Sequence, residues 1–332
     1  MSSKQRVFVM LSRVPWPLEK GDKLRAWHQL VELSHECELC VFCLSDAPVS
    51  DEALAQLKTI SSEVHVFRLR RMLIVWRLFL ALFSSRPFQV HYFYQRAAAR
   101  MVEAAVERFK PDHIYCQLIR CSEYVKHIHH ISKTLDYMDA FNKGMERRAA
   151  QSKGIQRWFL LDESQRLVKY ENLIFDYFDH HTIISEQDRK LIYHPERHRI
   201  AVIPNGVDTD YFAYQTELTH EPVVVFTGNM SYPPNVDTAE LLAREVFPKL
   251  RTFVPKARLV LAGADPSPKV KALAQLDGVE VTGWLNDIRT AYQCGMVFAA
   301  PLRIGTGLQN KLLEAMSMGL PCVTTTLANN AL

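Results

Sequence analysis

The chain has 332 residues, of which 48% are hydrophobic and 23% are charged, and its formal net charge is +4. This length exceeds that of one small domain, and the balance of apolar and charged residues excludes a disordered protein. The charge is mild and no run of lysine and arginine is dense, so we predict no nucleic-acid partner. The start, MSSKQRVFVML, lacks the apolar core of a signal peptide, and we therefore expect a cytoplasmic protein.

Short β-rich runs alternate with helical stretches along the chain, which is typical of parallel sheets covered by helices. The pattern predicts a helix over 22–34 and strands at 7–11, 39–44, 64–67, 113–116, 134–137, 181–184 and 200–203. After a turn-rich linker it restarts with strands at 223–227, 258–262, 279–282, 296–299 and 322–324. We therefore predict an α/β protein of two doubly wound, Rossmann-like domains, 1–212 and 213–332, facing each other across a cleft.

The stretch 70–83, RRMLIVWRLFLALF, is strongly apolar and carries arginines at its start. It is too short for a membrane span of about 20 residues, and Arg77 interrupts it. Two interpretations stay open. The stretch is either a core helix of the first domain with basic ends, or a helix that lies on an anionic membrane surface with Trp76 and Phe79 at the interface.

Seven cysteines, most of them within apolar runs, indicate reduced thiols. Cys37, Cys40 and Cys43 share a spacing of three, but a strand sends neighbouring members of this series to opposite faces. We therefore predict that the chain holds no metal ion.

Ligands of open parallel sheets bind beyond the carboxyl ends of the strands. After the first strand, Gly21 stands directly before Asp22 at the predicted helix start. Gly21 could bring backbone amides close to a phosphate group, with Asp22 as the N-cap and Arg25 adding positive charge nearby.

Three further polar residues lie near the ends of later strands of the first domain, namely Arg120, Asp136 and Asp139. Together with Asp22, they are candidates for binding a sugar acceptor or an anionic group. Helix capping by Asp139 and a surface ion pair of Arg120 are equally open interpretations.

The end of the chain, VFAAPLRIGTGLQNKLLEAMSMGLPCVTTT, combines a buried strand, a glycine loop and a helix start. The loop consists of Gly305, Thr306 and Gly307. Glycines let backbone N–H groups approach phosphate oxygens, and a helix N-terminus carries a partial positive charge. Arg303 and Lys311 add full positive charges. Glu314 lies three residues after Lys311 on much the same helix face, where a carboxylate could accept hydrogen bonds from two ribose hydroxyls.

Other glycines of the second domain follow its strands. Gly228 ends the first of them, Asn229 comes next, and Gly283 ends a later strand. These residues could border a bound nucleotide. Structural turns, and for the final segment a surface loop before an amphipathic core helix, explain the same patterns.

These motifs together resemble the retaining glycosyltransferases of family 4, which have the two-domain GT-B fold, and in particular bacterial sugar transferases linked to exopolysaccharide assembly. The matching segments are KGDKLR, VIPNGVD, TGNMSYPPN, VTGWLNDIR and KLLEAM. The resemblance implies a UDP-sugar or GDP-sugar donor, a glycan or glycolipid hydroxyl as acceptor, and no metal or other cofactor. It also implies an acceptor-side first domain, a donor-binding second domain and work at the inner face of the cytoplasmic membrane.

The resemblance implies that Arg303 and Lys311 stabilise the negative charge of the leaving diphosphate. It also implies that Glu314 binds the ribose. Thr306 stands where the family commonly has a glutamate that contacts the transferred sugar. Asn229 or Met230, and Asn235, stand where it often has arginine and lysine. Family members usually continue further, so we expect the second domain to be incomplete. A non-catalytic nucleotide-sugar-binding or scaffold protein is therefore the alternative, and a sugar-nucleotide epimerase ranks third.

Overall fold

The computed structural model describes residues 4–18, 20–150, 152–214, 221–304 and 308–329. The chain divides into two compact units, Met1–Ile203 and Pro204–Leu332. This boundary falls earlier than the predicted one after residue 212. The reason is that the guanidinium of Arg289 lies 4.0 Å from the ring centroid of Tyr211, and Phe212 meets Tyr292 edge-on at 6.2 Å between ring centroids. Residues 204–214 therefore belong to the second unit.

The first unit is built on a parallel sheet whose described strands run in the order β3-β2-β1-β4-β5-β6-β7. They are β1 (Gln5–Leu11), β2 (Cys37–Ser45), β3 (Glu63–Arg68), β4 (His113–Gln117), β5 (Ser132–Asp136), β6 (His180–Ile183) and β7 (Ala201–Val202). The order reverses between β1 and β4, and such a switch point is where open α/β sheets bind ligands.

Helices cover both faces of this sheet. They are α1 (Gly21–Glu36), α2 (Asp51–Ile60), α3 (Arg71–Ala81), α4 (Phe88–Phe93), α5 (Arg96–Phe109), α6 (Phe141–Ala150), α7 (Gly154–Phe175) and α8 (Glu186–Leu191), with 3₁₀ turns at Ile119–Tyr124 and Arg197–Arg199. Successive residues of β1 enter different cores, Phe8 on one face and Val9 on the other, because side chains alternate along a strand.

The second unit contains a parallel sheet with described strands in the order β10-β9-β8-β11-β12. These are β8 (Val223–Thr227), β9 (Arg258–Ala262), β10 (Val279–Gly283), β11 (Val297–Ala300) and β12 (Cys322–Thr324). The order reverses between β8 and β11. Two parallel-sheet, Rossmann-like domains are therefore present, which confirms the predicted fold class.

The helices of the second unit alternate with its strands. They are α9 (Pro233–Leu241), α10 (Phe247–Phe253), α11 (Pro268–Leu273), α12 (Arg289–Gln293), α13 (Asn310–Ser317) and α14 (Thr326–Asn329), and a π-helical turn, Leu242–Val246, joins α9 to α10. Helix α13 follows β11 and so starts at the switch point of this sheet.

Helix α3 lies on the surface of the first unit. Only Ile74 and Ala81 of this helix are buried. The interpretation of 70–83 as a core helix is therefore wrong, because most of its apolar side chains face outward. Within the part of the chain that the structure describes, no helix combines the length and the apolar character needed to cross a bilayer.

Candidate functional site

Lys311 lies at the carboxyl end of β8 although it belongs to α13. Its ammonium Nζ donates a hydrogen bond to Asn235 Oδ1 at 2.6 Å and lies 4.6 Å from the ring centroid of Phe226. Burial lowers the pKa of Lys311 to about 7, and the Glu314 carboxylate opposes this shift. The structure therefore places a cation at the switch point, and this cation changes its protonation near neutral pH.

Gly228 makes room for that cation. A Cβ atom added to Gly228 would lie 2.7 Å from Asn235 Nδ2 and 2.8 Å from Lys311 Nζ, and the φ angle of this residue is +148°. The neighbouring loop is as close, since a Cβ atom at Gly263 would lie 1.9 Å from the Gly228 carbonyl oxygen. Two glycine loops thus pack backbone to backbone beside Lys311, which leaves the Gly228 backbone free of any shielding side chain of its own.

Glu314 lies one helical turn beyond Lys311, as predicted. Its carboxylate accepts a hydrogen bond of 2.6 Å from the Tyr292 hydroxyl, which also lies 2.8 Å from Thr227 Oγ1 at the end of β8. Burial raises the pKa of Glu314, and the Tyr292 bond and the Lys311 charge oppose the shift. A carboxylate offers about four acceptor positions, so Glu314 can accept further hydrogen bonds while Tyr292 holds it in place.

Sequence reasoning missed Tyr292. It lies on α12, far from Glu314 along the chain, within a stretch that has no motif. Asn235 was noted only as a residue that replaces a charged one, although it holds Lys311. Both residues gain their role from the packing of separate helices against β8, and no spacing in the sequence carries that information.

Arg303 is bonded to a residue outside this cluster. Its guanidinium forms a two-pronged ion pair with Asp237 on α9, with distances of 3.0 Å from Nε and 2.7 Å from Nη2. The side chain is 49% exposed. Asp237 therefore already neutralises the positive charge of Arg303, which was predicted to stabilise a diphosphate. The glycine loop predicted beside Arg303, Gly305 with Thr306 and Gly307, lies outside the described residues.

Asn229 makes hydrogen bonds to nearby residues, whereas Gly283 faces open space. Asn229 Oδ1 accepts a hydrogen bond of 2.9 Å from the Ser231 amide, and the Asn229 carbonyl accepts one from Asn235 Nδ2 at 2.9 Å. Asn229 thus helps to fix the residue that holds Lys311. Gly283 has a φ angle of +70°, and no atom lies within 4 Å of a Cβ placed there.

Asp136, a candidate for acceptor binding, is fully buried in the first unit. Its carboxylate accepts hydrogen bonds from Arg25 Nε at 2.8 Å, from the Tyr115 hydroxyl at 2.8 Å and from the Met138 amide at 3.1 Å. The carboxylate is therefore unavailable to an acceptor and instead joins α1 to β4 and β5. Arg25, expected near a phosphate group, is bound in this ion pair.

Gly21 and Asp22 lie at the start of α1, although not as predicted. The helix begins at Gly21 after Lys20, so Asp22 lies in its first turn, and the prediction that Asp22 is the N-cap is wrong. The Asp22 carboxylate forms an ion pair with Arg13 at 2.8 Å. Gly21 faces open space, with no atom within 4 Å of an added Cβ.

Arg120 and Asp139 lie in the loops after β4 and β5. Arg120 Nε donates to Gln89 Oε1 at 2.8 Å, and the guanidinium lies 4.8 Å from the Phe141 ring centroid, so it is not a surface ion pair. Burial lowers the pKa of Arg120. Burial, with Asp188 and Asp136 nearby, raises the pKa of Asp139 to about 7, and its carboxylate makes no hydrogen bond to another described side chain or amide. Among the acceptor-side candidates, Asp139 thus keeps a carboxylate that no described donor engages.

Among the residues that the structure describes, one group of side chains has metal-ligand spacing. Atoms of Cys40, Glu63 and His65 lie within 4.8 Å of one another, across β2 and β3. However, Arg108 Nη2 lies 2.5 Å from Glu63 Oε2 and 2.9 Å from His65 Nε2. Burial raises the pKa of the Cys40 thiol to about 12, which opposes the thiolate that a metal needs. A guanidinium thus takes the cation's place, and these residues do not fit a metal ion.

Comparison with protein families identifies the second unit. Residues 221–332 match the family described as glycosyl transferases group 1. The second unit therefore carries a group 1 glycosyltransferase domain. No curated protein sequence matches the chain.

Solved structures share the fold of the whole chain. Sucrose-phosphate synthase from Thermosynechococcus elongatus has a TM-score of 0.64 at 15% identity, and the match covers 98% of this chain and 82% of that one. Anabaena Alr3699/HepE in complex with UDP and glucose has a TM-score of 0.66 at 14% identity, with 96% and 80% covered. WaaG, a glycosyltransferase involved in lipopolysaccharide biosynthesis, has a TM-score of 0.61 at 14% identity, with 98% and 82% covered. The architecture is therefore that of the GT-B glycosyltransferases.

Proposed function

We propose that the protein is a retaining glycosyltransferase that moves a sugar from a UDP-sugar or GDP-sugar to a hydroxyl group of a lipid-linked or growing polysaccharide. In this reaction the bond from the anomeric carbon to the diphosphate oxygen breaks, and a bond to the acceptor oxygen forms. The electron pair of the broken bond leaves with the nucleoside diphosphate, which takes up the proton of the acceptor hydroxyl. The group 1 domain at 221–332 supports this reaction class.

The single observation that carries the proposal is the position of Lys311. The loop between β8 and α9 contains no lysine or arginine. The ammonium group of Lys311 on α13 nevertheless lies there, beside the backbone of Gly228. A developing charge on a leaving diphosphate needs fixed positive charge at this kind of strand end, and one such donor is worth a few kcal/mol in transition-state stabilisation. Lys311 can supply this charge without a metal ion.

Glu314 supports the nucleotide part of the proposal. Tyr292 holds its carboxylate one turn from Lys311, and the free acceptor positions suit the two hydroxyls of a ribose. Two groups on one helix, a cation and an acceptor of hydrogen bonds, thus match the phosphate and ribose of one ligand. Arg303 would take part only after leaving Asp237, so we assign it a secondary role.

We assign the acceptor side to the first unit, with Arg120 and Asp139 as its leading residues. The Asp139 carboxyl group has a pKa of about 7 and makes no hydrogen bond to a described side chain or amide, so it can accept one from a sugar hydroxyl. We also propose that the protein works in the cytoplasm at the inner face of the membrane, where lipid-linked acceptors are available.

Titration calorimetry with UDP and GDP, followed by a transfer assay with radiolabelled UDP-sugars and GDP-sugars, tests the proposal. We expect one nucleotide to bind, Lys311→Ala to weaken that binding at least about tenfold, and label to enter a lipid or glycan fraction. Binding without transfer to any acceptor would support the non-catalytic alternative, which Thr306 motivates. Conversion of the donor alone would indicate an epimerase, and no binding of either nucleotide would refute the donor site.

A comparison of UDP with 2′-deoxy-UDP tests the role of Glu314. The wild-type protein should prefer UDP, because the carboxylate accepts a hydrogen bond from the 2′-hydroxyl. Glu314→Ala should bind both ligands equally. If the variant keeps the preference, Glu314 does not contact the ribose.

A further inference from the structure

We propose that the first unit docks on an anionic lipid bilayer through one surface, which we name the docking face and define as residues 68–86 and 152–161. This inference does not rest on the transferase activity. Large apolar side chains of the face are exposed, namely Met72 (86%), Val75 (68%), Trp76 (57%), Leu82 (55%) and Phe83 (79%). Such a concentration on α3 and the two residues after it marks an interaction surface, because exposed apolar area is unfavourable in water.

The aromatic rings of Trp76 and Phe79 on α3, and of Phe83 two residues after its end, form a row. The ring centroids of Trp76 and Phe79 are 5.8 Å apart, and those of Phe79 and Phe83 are 5.6 Å apart. Their spacing of three and four residues places them on one side of the helix. Aromatic rings of this kind favour the headgroup level of a bilayer.

Helix α7 contributes the second part of the docking face. Its first turns expose Ile155 (87%) and Trp158 (66%). Further along α7, Arg166 Nη1 donates hydrogen bonds to the carbonyl oxygens of Ala81, at 2.7 Å, and Ser84. The end of α3 is therefore hydrogen-bonded to α7, the helix whose first turns carry Ile155 and Trp158.

The charges of the docking face are all of one sign. Residues 68–86 contain five arginines, of which Arg86 pairs with Glu123 at 3.1 Å, and no acidic residue, and residues 152–161 contain Lys153 and Arg157 and no acidic residue. Arg68, Arg70 and Arg71 are exposed, and none of them forms an ion pair with another described residue. Anionic lipid headgroups complement such a surface, because each basic residue gains attraction close to the membrane.

The start of α3 lacks the features that usually stabilise a helix end. Its first turn contains no acidic residue, and no side chain caps it. Arg70 and Arg71 therefore add positive charge to the positive end of the helix, which is unfavourable in water. Lipid phosphates would offset both charges, since they can accept hydrogen bonds from the arginines and from the uncapped amides.

Charge also distinguishes a bilayer from a second copy of the chain. In a symmetric pair of copies the same surface meets itself, so the arginines of one face would meet those of the other. A bilayer instead offers negative charge at its surface and apolar chains below it. With no described helix able to cross, the contact is of the interfacial kind.

Co-sedimentation of the full chain with vesicles tests the proposal. We expect binding to vesicles of phosphatidylglycerol and phosphatidylcholine that is about tenfold or more weaker for phosphatidylcholine alone and falls with added salt. The double substitution Trp76→Ser with Phe79→Ser should reduce this binding by about tenfold or more. The matched control is Phe253→Ser, which removes an exposed aromatic residue (85%) from the second unit and should leave binding unchanged.

Quenching of tryptophan fluorescence by brominated lipids gives an independent measurement on the unaltered chain. Quenching should occur, and it should decrease in Trp76→Phe and in Trp158→Phe, because these residues enter the bilayer. Equal vesicle binding by the double variant and the wild type, or an equal loss in the Phe253 control, would overturn the proposal. Absence of quenching, or a dimer that the double variant abolishes while no vesicles bind, would also overturn it.

Discussion

Folding buries the side chain of Lys311, which is unfavourable for its charged form. Burial lowers its pKa from 10.5 to about 7. Between these values the unfolded chain binds more protons than the folded one, so this lysine's contribution to stability rises with pH across the window and is unfavourable at neutral pH. The residue is therefore better explained by ligand binding than by stability.

We predict that Lys311→Met raises the free energy of unfolding at pH 7 by about 1–3 kcal/mol, because it removes a buried charge. The gain should shrink towards pH 10.5. Urea denaturation at several pH values measures it, and Lys271→Met, at an exposed lysine of α11, serves as the control. A loss of stability at pH 7 would show that the ammonium supports the fold.

The same residue predicts how nucleotide binding depends on pH. Above about pH 7 the free protein has lost the Lys311 proton, which a bound diphosphate favours, so binding must take up a proton. The affinity for UDP or GDP should then fall by up to about tenfold per pH unit. Calorimetry in buffers of different ionisation enthalpy measures the proton uptake. Lys311→Met should show neither the slope nor the uptake, and an equal slope in the variant would assign it to another group.

At the scale of elements, the loop between β8 and α9 depends on Gly228. We predict that Gly228→Ala lowers the free energy of unfolding by about 1–3 kcal/mol and weakens nucleotide binding, because the new Cβ displaces Asn235 and Lys311. Gly206→Ala, where no atom lies within 4 Å of the added Cβ, is the control and should be nearly neutral. Thermal unfolding with and without nucleotide separates the two effects. A neutral Gly228→Ala would mean that the loop can move aside.

The elements α1, β4 and β5 are joined by the buried pair of Arg25 and Asp136. We predict that Arg25→Met lowers the free energy of unfolding by about 3–5 kcal/mol, because it leaves a buried carboxylate without its cation. The double change Arg25→Met with Asp136→Leu should cost less than the sum of the single changes. Urea denaturation of the four proteins gives the coupling free energy, and strict additivity would contradict the interpretation of the pair as one unit.

The elements themselves followed from periodicity, because β-rich runs such as Val223–Thr227 and Arg258–Ala262 are apolar enough to specify buried parallel strands. Of the candidate site, the sequence predicts only the pair of Lys311 and Glu314, because both residues lie on one helix and their spacing fixes their relation. Asp136 looked like an open residue after a strand because the sequence does not show that Arg25 folds onto it. The sequence also does not indicate Tyr292 as a site residue, because its partner Glu314 lies on another helix.

At the scale of the whole molecule, each unit has a core of its own, and the proposed nucleotide contacts all lie in the second one. We predict that UDP or GDP slows amide hydrogen exchange at 226–235 and 308–318 and leaves the sheet of the first unit unchanged. At 100 times the dissociation constant the ligand adds about 2.7 kcal/mol of stability. Mass spectrometry locates the protection, with Lys311→Met as the control. Protection confined to the first unit would reverse our assignment of donor and acceptor sides.

The segment 204–214, which begins the second unit, contacts the end of α13. Ser317 Oγ, in the last turn of α13, donates to the Phe212 carbonyl oxygen at 2.7 Å, and a Cβ at Gly319 would lie 2.4 Å from the Tyr214 ring. The chain that enters the second unit is therefore held at its start by the end of α13, the same helix that carries Lys311 and Glu314.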